Sequence, residues 1–459
     1  MPVLKSPNLF FAPRFITFDS ELSPTQIIYR TPRRDLRVSL LVIGLLALAV
    51  RLLYLRTALD YLGLEQLWNF ARDTNTYWAV GQHFLGGSYL GDYCLFRVGP
   101  GYGLMLAGLQ VLFGPSPMAA ILLNILLGSL APVLVFLLAR ELFESKPVAW
   151  IAGLISALSH TAIALSCQIL TDQPFFTFHV AALLCFVLGL KGRSTGWFVV
   201  AGCLAGVATL IRPSGQLWPM LFLAMAVLVP WLTLSEGRSP MIRKALLTGA
   251  IMLVVVLGWS ARNYAAYGEF TFGSNGVYTL QGCPVAQVMS DHYGRSVGEY
   301  RKEFGPDYGI NPGQFMPSYR AAKARVAEMV GSHPIWLIRV ALANMESNIE
   351  AMDPYTYGQI PALRQPMEIL DRQMRLWGGA TLAILLLVAL AVLIVRRHHP
   401  AWVVLGFTYL YFTLMCGFSI WQGSRLHYPA EMAWSILIAW LSVQIYNTLF
   451  RRSRLRSAI

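Results

Sequence analysis

Residues 99–114 read GPGYGLMLAGLQVLFG, and whether they cross a membrane decides the topology of the whole chain. The stretch is apolar but short, and it opens on Gly99, Pro100 and Gly101. Around it stand ten stronger apolar runs, at about 38–55, 117–138, 148–165, 174–190, 196–211, 215–234, 245–260, 376–395, 401–419 and 428–446. Each approaches the ~20 residues needed to cross a ~30 Å hydrocarbon core. If 99–113 were an eleventh span, the connections RELFESK (140–146), KGR (191–193) and GRSPMIRK (237–244) would lie opposite the basic N-terminus. Left out, it lets all six basic segments share one side: residues 1–37, these three loops, Arg396–Arg397 and the tail RRSRLR. That side then carries 19 of the 36 Lys and Arg residues, while the short connections opposite hold only Arg212 and Arg425. This asymmetry is what the positive-inside rule demands. Residues 99–113 therefore read as an interfacial helix.

Composition agrees. The chain of 459 residues is 56% hydrophobic and 13% charged, with a mean hydropathy of +0.53. A soluble core cannot hide that much apolar surface. The pI near 9.6 comes from basic residues at the ends of apolar runs, so it marks orientation rather than a nucleic-acid partner. The six Cys show no CxxC and no zinc-type spacing. Cys94 and Cys283 fall on the same outer side, which leaves a disulfide between them open. No cleavable signal pattern precedes the first span.

The expected fold is an all-α polytopic membrane protein with about ten transmembrane helices and both termini cytoplasmic. A cytoplasmic segment (1–37) leads into a transmembrane module (38–260) that includes a first outer loop (56–116). An outward-facing loop domain (261–375), C-terminal spans (376–446) and a basic cytoplasmic tail (447–459) follow. Within the loop domain, HPIWLIRVALANM (333–345) has the pattern of a second interfacial helix.

Isolated polar residues collect near the outer boundary: Asp73, Arg97, Asp172, Arg212, Arg262 with Asn263, and Arg425 with His427. Charges at a bilayer boundary are cheap compared with charges at its centre, so none alone proves function. Asp172 in LTDQPFF is also a good helix cap ahead of Pro174. Arg212 also suits a helix end, Asp73 beside Arg72 has the look of a solvated pair, and Arg51 is expected to snorkel outward. Their shared side is the informative feature, and it points to one polar chamber opening outward.

Six stretches in order carry a family resemblance. They are the D-x-x-x-Y-x-x-x-G pattern of Asp73, Tyr77 and Gly81; RVGPGYGLMLAGLQVLFG (97–114); LTDQPFF (170–176); LAGVATLIRPSG (204–215); WSARNYAAYGEFTFGSNGVYTLQG (259–282); and SRLHYPAEM (424–432). The chain resembles the GT-C fold glycosyltransferases, in the branch of protein O-mannosyltransferases and lipid A aminoarabinose transferases. The likeness runs from about residue 38 to 446. Two prolines usual in the second stretch are Gly99 and Gly103 here. The aminoarabinose transferases carry more C-terminal spans, which points away from that exact activity.

The resemblance implies a polyprenyl-phosphate-linked sugar as donor and an acceptor that is a protein, a lipid or a glycan. The active site is expected on the periplasmic or exterior face of the cytoplasmic membrane. A carboxylate there can take the proton of an acceptor hydroxyl, and Asp73 is the expected base. The leaving phosphate needs cationic donors rather than an acid. Arg97 and Arg262 are expected there first, with Arg212 and Arg425. Asp172, Tyr77, Tyr102, Asn263 and His427 are expected to bind substrate around them. No cofactor is required on this reading, although a divalent metal between Asp73 and Asp92 or Asp172 stays open. Two other readings compete. A transporter or flippase would favour ionisable residues inside the membrane and two related halves. A glycan polymerase or ligase of another fold would lack an essential acid in the first loop.

Overall fold

The computed structural model describes residues 33–69, 73–87, 93–233, 237–304, 312–350, 400–419 and 423–456. These residues build helices and short turns. Helix α1 (Arg33–Asn69) continues past the bilayer-length run and breaks at Gly63, whose φ of +69° suits glycine alone. Helices α2 (Thr74–Leu85), α3 (Tyr93–Arg97) and α4 (Pro100–Phe113) form the first outer loop. Then come α5 (Pro117–Phe143), α6 (Lys146–Leu158), α7 (His160–Ser166), α8 (Asp172–Leu190), α9 (Gly196–Ile211), α10 (Trp218–Thr233) and α11 (Arg238–Tyr267). The outer segment holds α12 (Asn275–Leu280), α13 (Ala286–Tyr293), α14 (Val297–Phe304), α15 (Pro312–Ser332) and α16 (Pro334–Glu350). Last come α17 (Pro400–Gly417), α18 (Ser424–His427) and α19 (Glu431–Arg456).

Among the described residues, seven helices are long and apolar enough to cross a membrane, or nine if each sharply bent pair is one span. The chain is thus a multi-pass membrane protein. Three of the ten predicted spans need comment. Run 148–165 is a helix broken by 52° between α6 and α7, where Ser159 ends one helix and caps the next through the Ala162 N–H. Run 196–211 is α9, which at 16 residues is shorter than a full span. Run 376–395 lies outside the described residues. The second bent pair is α15 with α16, turned through 104°, and α16 takes in all of the run 333–345 except His333 at the bend. Residues 100–113 form α4, an apolar helix too short to count among the seven.

Sidedness follows from ion pairs. Lys146 meets Asp35 at 3.5 Å, Lys191 meets Glu144 at 2.8 Å and Arg193 meets Glu141 at 2.8 Å, so three of the basic segments share one end of the bundle. Helix α8 runs the length of the bundle from Lys191 at that end to Asp172 at the other.

The glycines of 99–103 explain how α4 is seated. A Cβ on Gly99 would overlap the Leu210 carbonyl, with the carbonyl carbon 2.9 Å away, and one on Gly101 would lie 2.8 Å from the Ile211 nitrogen. A Cβ on Gly103 would strike Val80 of α2. Backbone therefore packs on backbone where α4 meets the last turn of α9, next to Arg212. Gly99→Ala forces those backbones apart, and the expected cost is ~3 kcal/mol, at the upper end for overpacking. The measurement is thermal unfolding in detergent, and an unchanged midpoint would contradict this seating.

Arg51 departs from expectation. It does not snorkel. It is fully buried, with Nη1 donating to the carbonyls of Ala47 (3.0 Å) and Ala157 (3.2 Å) and Nε to Ser166 Oγ (3.1 Å). The break after α6 frees the Ala157 carbonyl from its helical partner, and the guanidinium takes it.

Candidate active site

Four charged side chains meet at the end of the bundle opposite the basic loops. Each is delivered by a helix terminus. Asp73 precedes α2, and its carbonyl accepts from the Tyr77 N–H at 3.2 Å. Asp172 is the first residue of α8. Arg212 closes α9 in an extended conformation (φ −137°, ψ 121°) because Pro213 follows it and excludes the helical region. Arg425 sits on α18, just after Gly423, whose φ of +61° and ψ of −151° belong to glycine.

The four alternate in sign. Arg425 Nη2 donates to Asp73 Oδ2 at 3.1 Å. Its Nε reaches both Asp172 oxygens, at 3.3 and 3.2 Å. Arg212 Nη1 donates to Asp172 Oδ1. Asp172 is fully buried, whereas the Asp73 side chain keeps 26% exposure. Asp172 is thus a counter-ion with a guanidinium on each side, and Asp73 is the more exposed of the two acids.

A polar frame fixes the segment before Asp172. Its carbonyls have no helical partner and must be satisfied. Asn124 Nδ2 donates to the carbonyls of Gln168 (2.7 Å) and Leu170 (3.2 Å), and Thr74 Oγ1 to that of Ile169 (3.3 Å). Asn124 also donates to Tyr102 Oη at 3.0 Å. Tyr102 packs edge-on against Tyr77, ring centres 5.5 Å apart, and Tyr77 Oη lies 3.4 Å from Thr171 Oγ1. Burial raises the pKa of both phenols, and the Asp73 charge adds to the rise at Tyr77, so both remain neutral hydrogen-bonding groups. Below the ion pairs, Gln173 Oε1 accepts from Tyr428 Oη at 2.8 Å and ties the start of α8 to the chain just past Arg425. The Gly423 N–H donates to Asn348 Oδ1 at 3.1 Å, so α16 of the outer segment also anchors the loop that carries Arg425.

The other predicted residues stand in a neighbouring layer. Arg97 is buried at the end of α3. The Phe96 carbonyl there accepts from the Ser274 N–H at 2.9 Å. Asn263 is fully buried and donates to the carbonyls of Thr271 (2.9 Å) and Phe272 (3.0 Å), so it shapes that same turn. Arg262 donates to Asn263 Oδ1 at 2.9 Å and lies over the Trp259 ring at 4.9 Å. His427 Nε2 pairs with Thr413 Oγ1 at 3.0 Å between α18 and α17. Asn263→Ala strips two bonds from buried carbonyls and is expected to cost about 2 kcal/mol of stability. A thermal-unfolding midpoint equal to wild type would contradict that role.

Sequence reading missed Asn124, Gln173 and Tyr428. Asn124 is a lone amide within an apolar span, and that placement was the available signal. Cys283 Sγ donates to the Ser419 carbonyl at 3.3 Å; the Cys94 side chain and Asp92 lie outside the described residues. Among the described residues no group of three or more His, Cys, Asp and Glu side chains is placed to hold a metal ion. Asp73 and Asp172 do not fit one either, because Arg425 stands between them where a divalent cation would have to sit.

Residues 97–260 match the family model described as dolichyl-phosphate-mannose-protein mannosyltransferase. No curated protein matches the chain significantly in sequence. The oligosaccharyltransferase AglB of Archaeoglobus fulgidus, in complex with an inhibitory peptide and a dolichol-phosphate, superposes with a TM-score of 0.54 at 15% identity. That match covers 93% of this chain and 52% of the archaeal one. A second structure of the Archaeoglobus fulgidus oligosaccharyltransferase, tethered to an acceptor peptide, gives 0.51 at 16% identity, covering 92% and 51%. The chain thus spans about half the length of these enzymes. ArnT from Cupriavidus metallidurans, bound to undecaprenyl phosphate, is a weaker likeness, with a TM-score of 0.37 at 17% identity over 78% of this chain and 72% of its own. The fold is that of the GT-C membrane enzymes.

Proposed function

We propose that the chain transfers a sugar from a polyprenyl-phosphate donor to an acceptor on the outer face of the cytoplasmic membrane, inverting the anomeric centre. The alternation of Asp73, Arg425, Asp172 and Arg212 at one mouth of the bundle carries this reading. The acceptor oxygen bonds to the anomeric carbon while Asp73 takes its proton. The bond from that carbon to the phosphate oxygen breaks, and its electron pair stays on the lipid phosphate. Arg425 and Arg212 stabilise the charge that develops there. Arg97 and Arg262 contribute positive charge from the adjoining layer, and Tyr77, backed by the buried Tyr102, gives the sugar an aromatic wall. Asn263 and His427 hold the turns on which these groups stand. The family described by its mannosyltransferase activity, and the dolichol-phosphate held by the archaeal enzyme, support a polyprenyl phosphate as the lipid. The acceptor is a protein, a lipid or a glycan.

The test incubates purified protein in detergent with labelled polyprenyl-phosphate sugars and membrane extract. Label is expected to leave the donor lipid for another fraction. A second reading, transport of a lipid-linked substrate, draws on the buried Arg51 and on Glu431, whose Oε2 accepts from Ser159, both at the break between α6 and α7. Sugar or lipid flux across proteoliposomes without any transfer would establish that reading instead.

A further inference from the structure

We infer that α16 lies along the outer membrane surface with Ile335, Ile338 and Leu342 against lipid, and that this contact steadies the loop that carries Arg425. The inference stands whatever reaction the site performs.

Helix α16 has three faces. Val340, Ala341, Asn344 and Asn348 are buried, at spacings that put them on one side. Arg339, Glu346 and Ser347 are exposed, and the Arg339 guanidinium lies over the Trp336 ring at 5.5 Å. Ile335, Ile338 and Leu342 stand at i, i+3 and i+7, which makes one row. They are 66%, 57% and 52% exposed. A single exposed apolar residue needs no explanation, but a contiguous row does.

The place of the row names its occupant. Helix α16 meets the outer end of α17, one of the helices long and apolar enough to cross a membrane. There the Ala341 carbonyl packs on Gly417, so closely that a Cβ on Gly417 would overlap it. Helix α17 leads into Phe418 and carries its own exposed row, Leu410, Leu414 and Phe418, at i, i+4 and i+8. On a spanning helix such a row faces acyl chains. Leu342 follows Ala341 and Phe418 follows Gly417, so the two rows adjoin where the helices meet. Lipid against α17 thus continues onto α16. Trp336 and Arg339 suit that level, because Trp gathers at the membrane–water boundary and Arg reaches from it into water.

The buried face holds the loop. Asn348 Nδ2 donates to the Cys416 carbonyl at 2.9 Å, and its Oδ1 accepts from the Gly423 N–H at 3.1 Å. One amide thereby bridges both ends of the connection between α17 and α18, and Gly423 leads directly into the helix that bears Arg425. One turn earlier, Asn344 Nδ2 donates to Cys283 Sγ at 3.7 Å and ties α16 to the outer segment. A displacement of α16 from the membrane surface would carry Asn348, and with it Gly423, away from the site. Asn348 is a positioning residue for Arg425.

The test places the full chain in nanodiscs of phosphatidylethanolamine and phosphatidylglycerol that include a phospholipid with a photoreactive diazirine in its acyl chain. Adducts are mapped by mass spectrometry. Label is expected on Ile335, Ile338 and Leu342 as on Leu410 and Leu414, and hydroxyl radicals made in the water phase are expected to spare all five. Label on α17 without label on α16 overturns the inference, whether the row is then oxidised from water or covered by protein. Hydrogen exchange in the same nanodiscs reads the loop. Ile338→Gln with Leu342→Gln is expected to speed exchange at the Gly423 amide about five- to tenfold and to leave α8 unchanged. In an Asn348→Ala background the pair is expected to add nothing, because the contact acts through that amide. Unchanged exchange at Gly423, or an equal rise in α8, overturns the link to the Arg425 loop.

Discussion

Asp73→Asn is expected to lower sugar transfer by about 10²- to 10⁴-fold, the usual contribution of a general base, with little change in unfolding temperature. The amide matches the carboxylate in shape and still accepts from Arg425, so the fold has no reason to respond. Donor binding survives, and the loss falls on the catalytic step rather than on KM. The readout is label transfer under single-turnover conditions, set beside donor binding by the same preparation. Equal transfer by the two proteins would remove Asp73 from this role. It would not hand the role to Asp172, whose oxygens are occupied by two guanidiniums in a site without solvent exposure. Glu269, paired with Lys323 at 2.8 Å and Arg320 at 3.2 Å, is likewise committed as a strut of the outer segment. Its carboxyl is held below the usual range first by the Lys323 hydrogen bond.

Much of the fold was legible because a bilayer imposes length and charge rules that need no tertiary knowledge. Leaving 99–113 out of the span count put Lys146, Lys191 and Arg193 on the side of the N-terminal segment, and the Lys146–Asp35 pair joins the two, with the Lys191–Glu144 and Arg193–Glu141 pairs at the same end. The D-x-x-x-Y-x-x-x-G pattern has a physical basis in helix α2. One face presents Asp73 to Arg425, Tyr77 to Tyr102, and Gly81 to the Gly103 carbonyl, which would be 3.3 Å from an added Cβ. What could not be read was which arginine meets which acid. Arg425 lies 352 positions from Asp73 in sequence, and no local rule joins them. Adjacency to motifs favoured Arg97 and Arg262, but the structure sets these two around the turn after Asn263. Arg212 and Arg425 reach Asp172 because Pro213 and Gly423 fix the backbone at their helix ends. The inward course of Arg51 was equally hidden, since it depends on the helix break at Ser159 supplying carbonyls within the bundle.

Asp172→Ala is expected to be the most damaging single change in the site, costing about 3–5 kcal/mol of stability and abolishing transfer. A paired buried charge contributes modestly, because desolvation offsets much of the Coulomb attraction. Its removal is severe because the partners stay behind uncompensated. Here two guanidiniums are left side by side, Arg425 with Asp73 as its remaining partner among the four and Arg212 without the carboxylate it bonds. Their repulsion acts on the end of α9 and on the loop after Gly423, the two elements that carry the guanidiniums. Adding Arg212→Met to Asp172→Ala removes the orphaned charge. The double variant is therefore expected to regain about half of the lost stability while remaining inactive. Thermal unfolding in detergent reads the first effect, and donor binding with label transfer reads the second. Additive losses in the double variant would mean that Arg212 and Asp172 are not energetically coupled. The cluster would then be a set of independently held charges rather than one coupled unit.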